Sequence, residues 1–600
     1  EFTINPDFGQ GEADPSAIRL DGFQIFIQER RPFFIENRNL FDYNISSARN
    51  GGQFNTDNLF YSRRIGAAPH RRVYDDPSEL LFVDQPDFTT ILGAAKFSGK
   101  TKNGLSIGLL ESITAKEEVL IDQNGVESME TIEPFTNYLV ARVQQDFKEG
   151  NSAIGGIFTG VQRKIDTEDL DYLHSDAYSG GIDFFHNWNN RTWRINGRLV
   201  FSRVAGSTTA ISNTQRSFEH NFQRPNATHL EYDPDATELV GTGGDLNFGK
   251  YAGKFGFQTG FTWRSPGLEL NDIGFQYNAD EINHYFWMGY NQNEPQGIFR
   301  FWQAGYGHLV RWDFGGTSLH QGLNGNFFAE FKNFWRMSVG MGYEFADISN
   351  NWLRGGPTFR KPHGMGGHFF VGTNERKKVR FSLNGGYGHG LKVKTRAPSV
   401  GLTVTVVASN ALNFSIGPSW NGYKREDQYV ATIDYDDAQT YILSDLDQQT
   451  VSMRLRLNYN ITPDLTIQYY GQPFISRANY SDFKRVLDPI ARPRDSRFES
   501  FDPDAVTFNE AEGVYNIDYN KDGVTDYSFG NPDFNFMQFR SNFVARWEYT
   551  PGSEIFLVWT QGVTNSDDPT KQLIPSLTEN LFERKIHNTF LMKVTYRFLN

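Results

Sequence analysis

The chain has 600 residues, no cysteine, 57 glycines and a net charge of −13, from 58 Lys and Arg against 71 Asp and Glu. The acidic balance excludes a nucleic-acid binder with a broad basic face, and the missing cysteines exclude disulfide scaffolds, iron–sulfur clusters and cysteine nucleophiles. A mean hydropathy of −0.53 with 15% aromatic residues is typical of a large β protein, in particular a transmembrane β-barrel, where apolar residues alternate instead of clustering.

The first residues contain no charged stretch followed by an apolar one. We therefore expect that a signal peptide has been removed or that the sequence is a piece of a longer chain. Phe2 and Ile4, with Phe8, predict a first barrel strand over residues 1–10. Residues 11–87 show no strand pattern and are rich in Arg, Phe and Pro, so we predict an irregular segment that forms a plug in the barrel or an extracellular cap.

Seven arginines in this irregular segment are unusual in an acidic protein, and two interpretations stay open. The segment binds an anion or a glycan or docks inside the barrel, or its arginines form ion pairs with carboxylates of the barrel interior that hold it in place. The segment also contains many aromatic residues, which would form a large apolar patch if they were exposed. We therefore expect five of its side chains to be buried against the barrel interior or its rim: Arg31, Phe33, Phe34, Arg63 and Arg64.

Residues 88–600 carry the barrel pattern. In one example Trp193, Ile195, Leu199 and Phe201 alternate with polar neighbours, as they do on a strand with one apolar face. Many such segments reach ten residues, and a strand that crosses a membrane needs about 9–11. Counting them predicts an all-β fold, a transmembrane antiparallel β-barrel of about 22 strands, with 20 as the alternative.

The connections between these strands alternate in length. Short turns such as Lys100–Gly104 contain Gly, Asn, Asp or Pro, as tight turns require. Long connections are expected at Glu117–Glu133, Ser207–Pro234, Lys424–Asp436, residues 482–532 (the longest) and Gly562–His587. Short periplasmic turns and long extracellular loops are typical of a bacterial outer-membrane barrel.

The longest loop contains a candidate calcium site. Residues 518–526 follow the pattern D-x-N-x-D-G-x-x-D, which spaces oxygen ligands as a calcium-binding loop does. The bidentate glutamate that completes an EF-hand is replaced by Phe529, so another carboxylate such as Asp533 or Glu510 would have to complete the shell. An acidic turn without an ion is the alternative. The predicted ligands are Asp518, Asn520, Asp522, the carbonyl of Val524, and Asp526.

The last strand, Asn588–Phe598, has a regular apolar stripe that ends in Tyr596 and Phe598. A closing strand with a near-terminal aromatic residue resembles the signal that the bacterial barrel-assembly machinery reads. We therefore predict Tyr596 and Phe598 as the assembly signal.

Several blocks near the two ends of the chain resemble a known family: Asn5–Gln10, Arg31–Glu36, Leu59–Gly66, Asn531–Phe536 and Arg546–Ser553. The chain resembles a Bacteroidota outer-membrane β-barrel family of unknown function, often labelled as carbohydrate-binding family 9 domain-containing proteins. The likeness runs through the whole chain in order. Members usually carry an N-terminal β-sandwich before the barrel, and the resemblance implies that this chain corresponds to the barrel portion. It implies no established activity.

We found no phosphate-binding loop, no His-Glu-x-x-His and no Gly-x-Ser-x-Gly motif, so we do not expect an enzyme. One functional prediction is a gated transport or translocation component of the outer membrane. The other is a surface binding or scaffold protein whose loops hold a glycan or a partner protein. Calcium is the one cofactor expected. The expected partners are outer-membrane lipid, the barrel-assembly machinery, and other envelope proteins or glycans, with no nucleic acid.

Overall fold

A computed structural model describes residues 1–4, 18–49, 52–76, 81–345 and 348–596. The chain divides into two compact units, and each is described by itself. Unit 1 comprises the described residues of Glu1–Phe8, Leu20–Gly289 and Gly307–Leu319. Unit 2 comprises those of Gly9–Arg19, Tyr290–Tyr306 and His320–Asn600.

Most of the chain is strand. The strands of its first half are β1 (Phe2–Thr3), β2 (Leu81–Asp84), β3 (Ile91–Lys100), β4 (Leu105–Thr114), β5 (Glu117–Gln123), β6 (Val126–Glu133), β7 (Phe135–Phe147), β8 (Ser152–Lys164), β9 (Asp176–Trp188), β10 (Trp193–Ala205), β11 (Glu238–Lys250), β12 (Phe255–Arg264), β13 (Glu281–Gln292), β14 (Phe299–Trp312) and β15 (Ser318–Phe331).

The strands of the second half are β16 (Arg336–Glu344), β17 (Ile348–Ser349), β18 (Phe359–Arg360), β19 (Gly364–Gly372), β20 (Val379–Gly390), β21 (Arg396–Val407), β22 (Leu412–Tyr435), β23 (Ala438–Asn460), β24 (Leu465–Val486), β25 (Phe498–Ser500), β26 (Val506–Asn509), β27 (Val514–Ile517), β28 (Tyr527–Gly530), β29 (Phe534–Thr550), β30 (Ser553–Ser566) and β31 (His587–Thr595).

Four α-helices are short: α1 (Pro32–Ile35), α2 (Arg38–Phe41), α3 (Thr208–Arg216) and α4 (Leu573–Asn580). Among the described residues, no helix is long and apolar enough to cross a membrane.

Within the described residues, 23 strands belong to one antiparallel sheet. Two of them are short, β1 with two residues and β25 with three, and the other 21 have nine or more, so the total is close to the predicted 22. The fold class is the predicted all-β one, built on one large antiparallel sheet. The shorter strands form small sheets of their own: β2–β5–β6, β17–β18 and β26–β27–β28.

In unit 1 the strands follow one another as an antiparallel meander, β1–β3–β4–β7–β8–β9–β10–β11–β12. Strand β10 illustrates why the sequence alternates. Leu199 and Phe201 are half exposed on one face, whereas Val200 and Ser202 are buried on the other. The exposed face is apolar along neighbouring strands as well, which is expected where lipid replaces water.

The connections of unit 1 alternate as predicted. Strands meet in short turns at residues 148–151, 189–192 and 251–254, and in long connections at residues 206–237 and 265–280. The predicted loop Glu117–Glu133 is instead a hairpin, because β5 and β6 pair with each other and with β2.

In unit 2 the prediction of a loop over Lys424–Asp436 is wrong. Strand β22 continues to Tyr435 and turns directly into β23, with Lys424 opposite Asp447 in the register. Strand β24 likewise continues to Val486, so the longest connection starts at residue 487 instead of 482. Register shifts between Arg425 and Gln428 and between Tyr429 and Ala431 interrupt the regular alternation of β22, yet its backbone pairing with β23 persists.

The extended strands of unit 2 carry their own apolar core. Ile442, Phe483, Ile517, Tyr527 and Phe529 are buried together there. The longest loop is therefore a folded structure of three short strands, β26–β28, packed on the extensions of β22–β24.

Candidate functional site

Residues 20–49 and 52–76 of unit 1, called the N-terminal segment below, pack on the mainly polar face of the strands. The hydroxyl of Ser47 accepts a hydrogen bond of 2.7 Å from the side-chain amide of Asn247 on β11. The ring of Tyr43 lies so close to Gly181 of β9 that a Cβ at that glycine would come within 2.7 Å of it. Glycine on the strand therefore allows the segment to approach the sheet.

Arg31 is at the centre of a buried polar cluster in this segment. Its guanidinium binds both carboxylate oxygens of Glu29, at 2.7 and 3.0 Å, and also donates to the carbonyls of Ser62 and Ile65. The side chains of Arg31 and Glu29 are 2% and 4% exposed. Burial alone would raise the pKa of Glu29, but the Arg31 guanidinium lowers it to about 2.

Phe34 is buried in the apolar core of unit 1, and the Arg31 guanidinium lies over its ring, with 4.2 Å between Cζ and the ring centroid. Phe33 is half-buried and packs at the edge of the same core. The carbonyls of Phe33 and Glu36 accept hydrogen bonds from the ammonium of Lys96 on β3. These contacts attach the first helix of the segment to the sheet.

Arg63 and Arg64 are both half-buried. Arg64 donates to the carbonyl of Gly274 at 3.1 Å and to the side-chain oxygen of Asn271 at 3.0 Å. The structure thus brings Arg31, Phe34 and Arg64 into contacts with different parts of unit 1.

One buried ion pair joins the segment to the end of a strand. The carboxylate of Asp57 binds the guanidinium of Arg264, the last residue of β12, and neither side chain is more than 1% exposed. Arg264 also donates to the carbonyl of Phe54, and Asp57 accepts from the backbone amide of Tyr277. No spacing in the sequence indicates this pair, since its members lie far apart along the chain.

A second polar cluster joins the long connections of unit 1. The carboxylate of Asp272 accepts from Arg163 at 2.5 Å and contacts Nδ1 of His174 at 2.9 Å, while Nε2 of that histidine contacts the hydroxyl of Thr214 at 2.7 Å. Burial would raise the pKa of Asp272, but His174 and Arg163 hold it well below its usual range. Burial would lower the pKa of His174, but Asp272 raises it.

His220 and Glu269 form a similar contact between the connections at residues 206–237 and 265–280. Nε2 of His220 lies 2.8 Å from the Glu269 carboxylate. Burial opposes the charged form of His220, and the carboxylate outweighs it and raises the pKa. Gly241 on β11 permits this packing, because a Cβ there would come within 2.0 Å of the backbone nitrogen of Leu268.

Among the described residues, one group of three potential metal ligands converges: His229, Asp280 and Asp313, whose ligand atoms lie within 4.8 Å of one another. The carboxylate of Asp280 is already bound by the guanidinium of Arg224 at 2.6 Å. An ion pair therefore accounts for the burial of Asp280.

The predicted calcium ligands lie in an exposed turn of unit 2. Asp518 accepts hydrogen bonds from the backbone amides of Asp522 and Gly523, at 3.1 and 2.9 Å. The side-chain oxygen of Asn520 also accepts from the amide of Asp522. Gly523 has a φ of +86°, the left-handed conformation that this turn requires.

The remaining predicted ligands have separate contacts. Asp526 accepts from the hydroxyl of Tyr435 at 3.0 Å and from the amide of Tyr519 at 2.7 Å. Asp533, one residue expected to complete the shell, accepts from the amide of Tyr480. Val524 has an exposed side chain, so its part in a site is through the backbone.

Tyr596, one of the two residues of the predicted assembly signal, lies just beyond the end of β31, and its side chain is 62% exposed. Phe598 lies outside the described residues, as do residues 5–10 of the predicted first strand. Within residues 1–4 that strand is reduced to Phe2–Thr3, which pairs with Ala94 and Ala95 of β3.

A family model described as "Domain of unknown function (DUF5916)" matches residues 1–600. This chain belongs to the DUF5916 family. A search of curated proteins finds no match to it. The family assignment supplies no activity, so the function of this DUF5916 protein has to be argued from its own residues.

Solved structures similar to the DUF5916 chain include two transporters and a porin. The FrpB iron transporter from Neisseria meningitidis (F5-1 variant) has 9% identity and a TM-score of 0.37, over 82% of this chain and 79% of that one. The outer membrane transporter YddB from Escherichia coli has 8% identity and a TM-score of 0.35, over 85% and 75%. An anion-selective porin from Comamonas acidovorans has 9% identity and a TM-score of 0.26, over 55% and 91%.

Proposed function

We propose that this protein is an integral barrel of a bacterial outer membrane, of the Bacteroidota by its sequence resemblance, and that its N-terminal segment gates transport or translocation. The observation that carries the proposal is the location of that segment on the mainly polar face of the unit 1 strands. The opposite face is apolar and exposed, which suits contact with lipid. The segment is held on that face by polar contacts and by an apolar core that includes Phe34, Tyr43 and Ile45, so opening the gate requires both sets of contacts to be released together.

A reversible cross-link tests the gate. The chain contains no cysteine, so Asn37→Cys with Ser98→Cys introduces one pair, at a place where the two side chains hydrogen-bond at 3.0 Å on the surface. These positions join the N-terminal segment to β3. We expect the conductance of the double variant in planar lipid bilayers to fall when a short, reducible cross-linker joins the two cysteines. Reduction of the cross-link should restore the conductance.

The matched control for the cross-link is the single variant Asn37→Cys, which cannot be cross-linked within one chain. Its conductance should not change on treatment with the reagent. Equal conductance of the double variant before and after cross-linking would contradict a moving segment. The absence of conductance in every state would favour the second candidate function.

The second candidate is a surface binding or scaffold protein, anchored by the barrel. The observation that favours it is the folded structure of the longest loop, where Ile517, Tyr527 and Phe529 form a core with the strand extensions. A loop with a core of its own presents a fixed surface, as a binding site for a glycan or partner protein requires. Deleting residues 506–530 should abolish capture of envelope partners while leaving the barrel folded.

We also propose that residues 518–526 bind calcium in this loop. The turn around Gly523 supports this proposal. In it, side-chain oxygens of Asp518 and Asn520 lie close together because they accept hydrogen bonds from adjacent backbone amides. Calcium favours such oxygen ligands. The other partners we propose are outer-membrane lipid and the barrel-assembly machinery, and the proposed function is not catalytic.

A further inference from the structure

Unit 1 neutralises its buried arginines with carboxylates. Among the described residues, five ion pairs have an arginine side chain at most 6% exposed: Arg31 with Glu29, Arg142 with Asp183, Arg163 with Asp272, Arg224 with Asp280, and Arg264 with Asp57. This is the arrangement that burial of a charge demands, because an unpaired buried charge is costly.

Arg194, on the inward-facing side of β10, departs from this arrangement. Its Nε is buried without a hydrogen-bond partner. Among the described residues, the contact that the structure gives its guanidinium is the ring of Phe185, with 4.7 Å between Cζ and the ring centroid. Arg191, in the preceding turn, binds the neutral oxygens of Asn151 and Glu149, the latter through its backbone carbonyl.

These two arginines line one pocket of 320 Å³ at the short-turn end of the strands. Its lining residues are Gly150, Phe185, Asn187, Arg191, Arg194 and Tyr251. A volume of this size is at the lower end of small-molecule sites, about 300–1,000 Å³. Within the described part of the chain, neither arginine of this pocket forms an ion pair with a carboxylate, although the protein as a whole is acidic.

Further positive charge surrounds the pocket. The guanidinium of Arg49 lies 5.0 Å from the ring centroid of Tyr251. Arg198, on the same face of β10 as the pocket arginine, is opposite Asp183 in the register. That carboxylate is already bound at both oxygens by Arg142, so Nη1 of Arg198 is buried without a partner.

We propose that this pocket binds a small organic oxyanion through Arg191 and Arg194. A guanidinium binds a phosphate or a carboxylate group with two parallel hydrogen bonds, and the rings of Phe185 and Tyr251 offer apolar walls for the rest of the molecule. The ligand supplies the negatively charged partner that, among the described residues, neither Arg191 nor Arg194 has. Arg191 and Arg194 both lie outside the N-terminal segment, so their role in binding can be tested apart from the gating proposal.

Calorimetric titration of the full-length protein in detergent at low salt tests the site. Inorganic phosphate probes the phosphate chemistry, and citrate probes the carboxylate chemistry. We expect saturable binding of at least one of the two anions, with the preferred anion identifying the group recognised. The variants Arg194→Gln and Arg191→Gln should each weaken binding at least tenfold. Arg191 is exposed in a turn, so its variant keeps the test valid if the other fails to fold.

The matched control is Arg203→Gln, on the same strand. Arg203 pairs with Glu238 at 2.8 Å, and both side chains are about half exposed, so its removal should leave the affinity within twofold of the unchanged protein. Absence of saturable binding for both anions would overturn the proposal. It would also be overturned if the three variants weakened binding equally, since that result indicates diffuse attraction to positive charge and no defined site.

Discussion

Asp57 and Arg264 lie 207 residues apart and form an ion pair whose side chains are 0% and 1% exposed. The pair joins the N-terminal segment to the last residue of β12. Its burial means that neither partner can exchange the other for water unless the segment leaves the sheet. Removing one partner of this pair therefore measures how much the pair contributes to the free energy of unfolding.

We predict that Asp57→Asn destabilises the protein by about 3–5 kcal/mol, because it leaves a buried guanidinium without its counter-charge. The control is Asp42→Asn, which removes an exposed pair with Arg38 in the same segment and should cost less than about 1 kcal/mol. Denaturant unfolding in detergent micelles measures both. Equal effects of the two variants would show that the buried pair does not hold the segment.

Leu199 tests contact with lipid. Its side chain is 50% exposed on β10, so Leu199→Arg should be nearly neutral in water. In a bilayer we predict a cost of up to about 2–4 kcal/mol, the larger value at the midplane. Val126→Arg, in an exposed hairpin turn, is the control and should have little effect. Unfolding from lipid vesicles gives both values, and a neutral Leu199→Arg would argue against residence in a membrane.

The ionisation of Glu29 should make the stability of the protein depend on pH. Its pKa falls from 4.5 in the unfolded chain to about 2 in the folded one, because the Arg31 guanidinium outweighs burial. The ionised carboxylate therefore stabilises the fold fully above pH 4.5, and that contribution is lost as the pH falls through about 2.

The variant Glu29→Gln removes this dependence. The difference in unfolding free energy between the unchanged protein and the variant should be large at about pH 6 and shrink toward about pH 2. A difference that does not vary with pH would mean that the ionisation of Glu29 is not coupled to folding. Chemical unfolding at each pH supplies the measurement.

Calcium binding to residues 518–526 is tested by titration calorimetry. We predict a dissociation constant of about 10⁻⁴–10⁻³ M, as in extracellular calcium modules. Asp522→Ala should abolish binding, because it removes a central oxygen ligand. Asp464→Ala, in a short turn at the other end of the unit 2 strands, should have no effect. If Asp522→Ala binds calcium with the same heat as the unchanged protein, the ion binds at another site.

The strand pattern was predictable wherever one face meets an apolar environment and the other does not. Leu199 and Val200 show this directly, since alternation decides which of them is exposed. The pattern failed over Lys424–Asp436, which continues as strand. There two register shifts, between Arg425 and Gln428 and between Tyr429 and Ala431, break the regular period, although the backbone of β22 still pairs with that of β23.

The amino-acid sequence by itself determined the all-β class, an approximate strand number and most of the short turns, because these depend on neighbours along the chain. It also marked the arginines of the N-terminal segment as unusual. Only the tertiary structure decided their partners and those of other arginines. The pairs Arg264–Asp57 and Arg163–Asp272 join residues more than one hundred positions apart. Among the described residues, the absence of an ion pair at Arg194 is likewise a property of the space around it, which no local pattern encodes.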